Sequence, residues 1–563
     1  MDTTGITLHM TDKFAAWLRA HDWAPHVAAL VYIVAGLALL PHFQYFAFKD
    51  EINYITIAEK FAVGDLSTAP NAYWPPLLPI LIAGLISIGV PSEAAAKIMS
   101  LIVGILVLYA VRCLAGKFEL NQLLRNLLLF SIIPFLLYGA LIFVTPDLLV
   151  AGLLSYYLSI LLHPNYSARP LLGVLCGCFG AAAFLAKSYV LQFFVVHLTL
   201  VTVFLGVFQP NWPKRKLLVK NFSLAVSVFA VVAAIWVYLL YQKYHVVTLG
   251  VTGRYNYLVI GPGEMPGDPV SNIQANPINY IGLTPPADSR SISIWEEPYY
   301  LCAYLNAWSP FESKEAFQHT IRAIKTHVRV TIEFLFRFSV LTFPILAAAL
   351  LLCFARRTPE RRRLLLVIMS LSLAVYPAGY ILMHAEERYL WPMALWFLVL
   401  GSVLLHLCWY SVFLATRARK AVILTVFSCS FILYPVQELI RRADTGRNLY
   451  EISLLLRDLP LHGSAIASNT DYGAGVVLAY RIGAKYHGTP TPKSSKEQIV
   501  EQLRKSRVGY YLHWGAPVEI AGLRSLKRVA FGDRQVTVFE VLRPSTGSYS
   551  AVRNIGDSRG AKE

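Results

Sequence analysis

Residues 126–162 read NLLLFSIIPFLLYGALIFVTPDLLVAGLLSYYLSILL, two apolar runs, 126–144 and 148–162, parted only by Thr145-Pro146-Asp147. A helix needs roughly 20 apolar residues to cross a hydrocarbon core about 30 Å thick, and both runs approach that length. In lipid nothing outside the segment satisfies the backbone, so spanning runs of this kind are helical. The stretch is therefore a helical hairpin whose turn carries one acid, Asp147. Working outward, similar runs recur from about residue 26 to residue 440 of a 563-residue chain that is 56% hydrophobic and only 15% charged. No ordinary soluble domain has that composition. The expected fold class is mainly α, a polytopic transmembrane helical bundle with a small C-terminal α/β extracytoplasmic domain.

The basic residues set the expected topology. They fall in short clusters between apolar runs, at 112–125, Arg169, 214–220, 356–363 and 417–420, although the net charge is +17. Such clusters mark cytoplasmic loops rather than a nucleic-acid surface, so no nucleic acid is expected as a partner. Placing all of them inside gives eleven spans: 26–47, 93–111, 126–144, 148–162, 170–186, 189–208, 221–243, 330–354, 364–383, 390–411 and 421–438. The apolar piece 77–90 is then an interfacial helix, since counting it would turn the Arg-rich cluster outward. This reading makes 1–25 a cytoplasmic N-terminus and 26–440 the transmembrane domain, with outward loops 48–92 and 244–329. The domain 447–543 faces outward, 544–563 is a disordered tail, and the chain is multi-pass in the plasma (inner) membrane. Within 447–543, 465–468 and 508–513 read as strands and Val529 to Val541 as a hairpin turning at Gly532-Asp533. Ser494-Ser495-Lys496-Glu497 reads as a capping box opening a helix over 495–506. A further helix is expected at 311–328. The seven cysteines show neither a disulfide framework nor zinc spacing.

Ionisable residues in such a chain are the natural candidates for chemistry, because each is costly beside lipid. Asp50 and Glu51 follow the first span and open an amphipathic helix. One reading makes Asp50 an N-cap with Glu51 answering the helix dipole. Asp147 is open to the same capping reading. Two acids on one expected face, however, also suggest a polar cavity. Lys187 ends the 170–186 run, where a snorkelling lysine is common. Arg388 lies in His384-Ala385-Glu386-Glu387-Arg388-Tyr389-Leu390-Trp391-Pro392, on the side where arginine is rare. It serves either a structural ion pair or an anion.

In order and in common sidedness, Asp50-Glu51, Tyr73-Trp74-Pro75-Pro76-Leu77, Asp147, Leu185-Ala186-Lys187 and Glu387 to Pro392 resemble the GT-C glycosyltransferases. The likeness is strongest to the bacterial branch with the lipid A aminoarabinose transferase and the protein O-mannosyltransferases. It covers about 26–440 and is strongest before residue 190. The resemblance implies a polyprenyl-phosphate-sugar donor and an extracytoplasmic glycan, lipid or protein acceptor, with membrane lipids around both. It implies that Asp50, Glu51 and Asp147 are catalytic, that Lys187 and Arg388 bind the donor phosphate, and that Tyr54, Tyr73, Trp74, His384, Glu387 and Tyr389 line the substrate cavity. The loop 244–329 matches no branch. Asp50, Glu51 and Asp147 are also the acids a divalent cation would need, although no spacing demands one. The competing class is a transporter or lipid-linked sugar flippase, whose ionisable residues lie within its spans. Here they sit at the rim.

Overall fold

In the computed structural model the described residues are 22–207, 212–263, 276–356 and 358–542. The expected cytoplasmic N-terminus, apart from residues 22–25, and the expected tail lie outside them. Eight described helices are long and apolar enough to cross a membrane: Ala24–Phe43, Ser92–Phe118, Gln122–Ile142, Val190–Val207, Trp212–Tyr244, Glu360–Leu382, Glu387–Cys408 and Arg417–Leu455. The chain is an integral multi-pass membrane protein.

The expected count of eleven is not confirmed. Asp147–Leu161 and Pro170–Ala186 are apolar helices where spans were expected, but shorter than the rest. The expected span 330–354 is broken. Its first half belongs to the Lys314–Phe338 helix, which meets Thr342–Phe354 at 97°, so the helix expected at 311–328 starts later and runs further. The break is locally satisfied: Ser339 is extended, its N–H still donates to the Leu335 carbonyl at 3.3 Å, and the Thr342 hydroxyl lies 3.0 Å from that carbonyl and 2.8 Å from the carbonyl of Ser339. Leu77–Ser87, expected at the interface, is only 11 residues long, or about 16 Å, too short to span.

Small residues let these helices approach closely. A Cβ on Gly173 or Gly177 would lie 2.7 Å from the Asn221 carbonyl or 2.5 Å from that of Ala225. This four-residue glycine spacing thus seats Pro170–Ala186 backbone to backbone on Trp212–Tyr244. Deeper in the bundle, His197 is fully buried and ties three helices together, its Nδ1 2.9 Å from the Tyr157 hydroxyl and its Nε2 2.9 Å from Ser372 Oγ.

The C-terminal region carries a five-stranded sheet of β1 Ala465–Ser468, β2 Lys485–Tyr486, β3 Tyr510–Trp514, β4 Leu523–Phe531 and β5 Arg534–Val541, ordered β2-β1-β3-β5-β4. β1 is parallel to β2 and β3, while β4 and β5 form the expected hairpin. The capping box is shifted by one residue. Ser495 is the cap and Gln498 answers it, so the helix is Lys496–Lys505. The helix Tyr472–Ile482, which crosses from β1 to β2, was not expected. Through β2 this sheet reaches the loop between Tyr244 and Lys314, and that contact bears on the site.

Candidate active site

The site is organised by the first turn of the Lys49–Ala62 helix. Its N-cap is Phe48, and Glu51 closes the capping box by accepting the Phe48 N–H at 3.3 Å. The other Glu51 oxygen accepts the Val144 N–H at 3.0 Å, which fastens this helix to the turn before Asp147. Burial pushes the Glu51 carboxyl up, against the pull of Lys97 and of the backbone N–H groups. Glu51, expected among the catalytic acids, therefore has both oxygens occupied by backbone.

Asp50 is free of that duty. Its Oδ1 accepts the indole N–H of Trp295 at 3.1 Å, and its Oδ2 accepts from Arg388 Nη2 at 3.1 Å. Asp147 does not cap its helix either. Its Oδ1 accepts from Lys187 Nζ at 2.5 Å, and its Oδ2 lies 3.8 Å from Arg388 Nε. The capping reading thus fails for both acids, and residues 50, 147, 187 and 388 meet in one cluster.

Arg388 is the hub. Its Nε donates to Glu386 at 2.7 Å, and its fork joins Glu386, Asp50 and Asp147 in one pairing. Glu386 is half-buried, which alone would raise its carboxyl, yet Arg388 and His384 hold it well below the usual carboxylate range. Tyr389 donates to Glu386 at 3.1 Å and lies flat under Lys187, whose Nζ is 3.3 Å from the ring centre. Burial, with Arg388 nearby, holds Lys187 below the ordinary lysine range, and Asp147 opposes that shift.

Two cavities meet at this cluster. The first, about 290 Å³, is lined by Lys49, Asp50, Tyr54, Tyr73, Trp74, Asp147, Lys187, Tyr255, Trp295, His384, Arg388 and Tyr389. Its aromatic wall is edge-packed, with Tyr54 and Trp74 centroids 5.2 Å apart and those of Tyr73 and Trp74 4.7 Å apart. The second, about 310 Å³, is lined by Phe48, Asp50, Glu51, Tyr138, Glu386, Glu387, Arg388 and Arg442. Glu387 belongs to this second cavity, where the hydroxyls of Tyr138, at 2.5 Å, and Tyr434 donate to it. Asp50, Glu386 and Arg388 line both.

A divalent cation at the expected acids is not confirmed. Glu51 faces backbone N–H groups while Asp50 and Asp147 face Arg388 and Lys187, and among the described residues no group of three or more His, Cys, Asp or Glu is placed to hold a metal ion. The sequence reading missed Trp295, Tyr255, Glu386 and Arg442. Trp295-Glu296-Glu297, an aromatic followed by paired acids inside a polar loop, was the available signal.

No family model matches the sequence, and no curated protein matches it. Solved structures do. ArnT from Cupriavidus metallidurans in the apo state is 14% identical with a TM-score of 0.57, over 92% of this chain and 98% of that one. The same protein bound to undecaprenyl phosphate is 16% identical with a TM-score of 0.51, over 92% and 99%. The archaeal oligosaccharyltransferase AglB from Archaeoglobus fulgidus, in complex with an inhibitory peptide and a dolichol-phosphate, is 12% identical with a TM-score of 0.53, over 87% and 69%. At these identities the likeness establishes architecture, and with the helical bundle and its C-terminal sheet it shows that the chain has the GT-C fold.

Proposed function

We propose that this protein is a glycosyltransferase that moves a sugar, a hexose or a pentose, from a polyprenyl-phosphate-linked donor to an acceptor hydroxyl. The observation that carries this reading is the position of Asp50, which lines two cavities at once and is bonded to the arginine they share. A group-transfer enzyme needs its base between donor and acceptor. The first cavity, with Lys187, Lys49 and Arg388, takes the donor phosphate, and the second takes the acceptor.

In the step itself the acceptor oxygen attacks the anomeric carbon and the bond from that carbon to the phosphate oxygen breaks. The electron pair leaves on the phosphate, where Arg388 and Lys187 stabilise it. Asp50 receives the acceptor proton. We take the step as a single displacement with inversion, with Asp50 as its one base, by analogy with the glycosyltransferases the chain resembles. Glu51 and Asp147 serve this arrangement by fixing the helix and Lys187. Such a donor is presented from the non-cytoplasmic leaflet, so the site and the C-terminal domain face outward.

The test uses the full chain in proteoliposomes, with the polyprenyl-phosphate-sugar pool extracted from bacterial membranes as donor and an envelope extract as acceptor. Free polyprenyl phosphate and a sugar-bearing product are expected together. Movement of donor between leaflets with no product would contradict the proposal and point to a flippase.

A further inference from the structure

The loop segment 291–297 is buried at every residue, and it is far in sequence from every expected site residue. Ser291, Ser293 and Glu296 are fully buried, and Trp295 nearly so. Buried loop backbone is uncommon, because its polar groups must all find partners. Here partners come from three directions, one of them the Trp212–Tyr244 helix, whose Lys243 pairs with Glu297 and whose Tyr244 hydroxyl donates to it at 2.5 Å.

The first direction is the helix that carries Asp50. Lys60 pairs with Glu296 and, at 2.9 Å, with Asp288, and it donates to Ser291 Oγ at 2.8 Å. Thr56 donates to Glu296 at 2.7 Å and Asn53 to the Trp295 carbonyl at 3.1 Å. The second direction is the C-terminal domain. The Tyr486 N–H of edge strand β2 donates to the Ile292 carbonyl at 2.8 Å, and Lys485 Nζ donates to the Ser291 carbonyl at 2.8 Å. Alongside, the Thr284 N–H donates to the His487 carbonyl at 2.7 Å. The loop is thus strapped between the membrane bundle and the sheet.

We infer that Trp295 is a positioning residue for Asp50 and that the C-terminal domain, through the edge of β2, holds it in place. The inference rests on the reading of Asp50 as base. Arg388 alone fixes one carboxylate oxygen and leaves the other to rotate. The indole N–H fixes that second oxygen while its remaining lone pairs stay open to the acceptor proton. Trp295 is itself locked, edge-on to Trp74 with centroids 6.1 Å apart and 5.9 Å from Tyr255. A reacting group needs this second layer of support to keep its geometry. The soluble domain is accordingly part of the catalytic machinery's scaffold.

The experiment compares Trp295→Phe, Asp50→Asn, their double variant, Lys485→Ala and Lys485→Arg in the purified full chain. Transfer from the extracted donor pool is measured beside affinity for undecaprenyl phosphate and thermal stability. Trp295→Phe keeps an aromatic ring but loses the indole N–H together with part of the ring, the packing loss being read from thermal stability, so transfer falls roughly tenfold or more, with undecaprenyl phosphate affinity unchanged within about twofold. Because Trp295 acts through Asp50, the double variant is no slower than Asp50→Asn. Lys485→Ala slows transfer in the same way, by loosening the loop that seats the Trp295 ring while leaving the ring's own chemistry intact, and Lys485→Arg restores it. A slow Asp50→Asn beside a normal Trp295→Phe, an equal Trp295→Phe loss in the Asp50→Asn background, or a normal Lys485→Ala would overturn this inference alone. Normal transfer by Asp50→Asn would overturn the base reading and this inference with it.

Discussion

Replacing Arg388 by lysine isolates what the fork contributes beyond its charge. Alanine is the poorer choice, because it would strand Asp50, Glu386 and Asp147, all within 3.8 Å of the guanidinium. Removing one member of such a partly buried cluster costs about 3–5 kcal/mol and endangers folding. Lysine keeps the charge, but its single ammonium cannot reach Glu386 at 2.7 Å and Asp50 at 3.1 Å from the same side-chain path and still face a ligand. One charge-assisted hydrogen bond is lost, worth about 1.5–3 kcal/mol. At about 1.4 kcal/mol per decade that is roughly a 10- to 150-fold loss. Undecaprenyl phosphate affinity, by calorimetry in detergent, and transfer from the extracted donor pool should both fall within that range, while the melting temperature changes little. Wild-type affinity and transfer in Arg388→Lys would remove Arg388 from the site.

Other outcomes follow from the same geometry. Glu51→Gln leaves one acceptor where several backbone N–H groups need a carboxylate, so thermal melts should show a loss of about 1–3 kcal/mol, while transfer per folded molecule changes far less than in Asp50→Asn. Asp288, partly buried beside Lys60 and bonded to Ser291, has its carboxyl lowered to about 2. A depressed carboxylate stabilises the fold above its ordinary pKa and loses that contribution as pH falls toward the folded value. The melting-temperature gap between wild type and Asp288→Asn should therefore be full at pH 6 and close as pH drops below about 4. For topology, a cysteine replacing the exposed Pro460 in a cysteine-free chain should react with an impermeant maleimide from outside only. Labelling from the cytoplasmic side alone would reverse the orientation.

Much of the site was legible because lipid makes charge conspicuous. Asp50, Asp147, Lys187 and Arg388 stood out as isolated ionisable groups on one expected face, and the fold brings those four together. The division of labour between Asp50 and Glu51 was not legible. Neighbours on a helix point about 100° apart, and only the three-dimensional turn decides which faces the cavity and which the backbone. Trp295 was invisible for another reason. It lies in an aperiodic loop, 245 residues from its partner, and no local pattern reports a pairing at that distance. The broken span at 339–341 hid behind unbroken hydropathy, and at the bend the Ser339 hydroxyl accepts the Leu341 N–H while the Thr342 hydroxyl faces the carbonyls of Leu335 and Ser339. In the soluble domain the hairpin was readable from Gly532-Asp533, whereas Tyr472–Ile482 was missed because Gly473 and Gly475 weaken its helical signature.

The claim on which everything turns is that Asp50 accepts the acceptor's proton. Asparagine matches its size but turns one donor toward either Arg388 or Trp295, so some binding loss is expected for reasons unrelated to proton transfer. The deciding measurement is therefore a ratio, transfer rate against undecaprenyl phosphate affinity, for Asp50→Asn and wild type in the same membranes. The account requires transfer to fall roughly 10²-fold or more, with affinity changed no more than about tenfold and the protein still folded. Transfer that stays near the wild-type rate, or falls only in step with affinity, would contradict it.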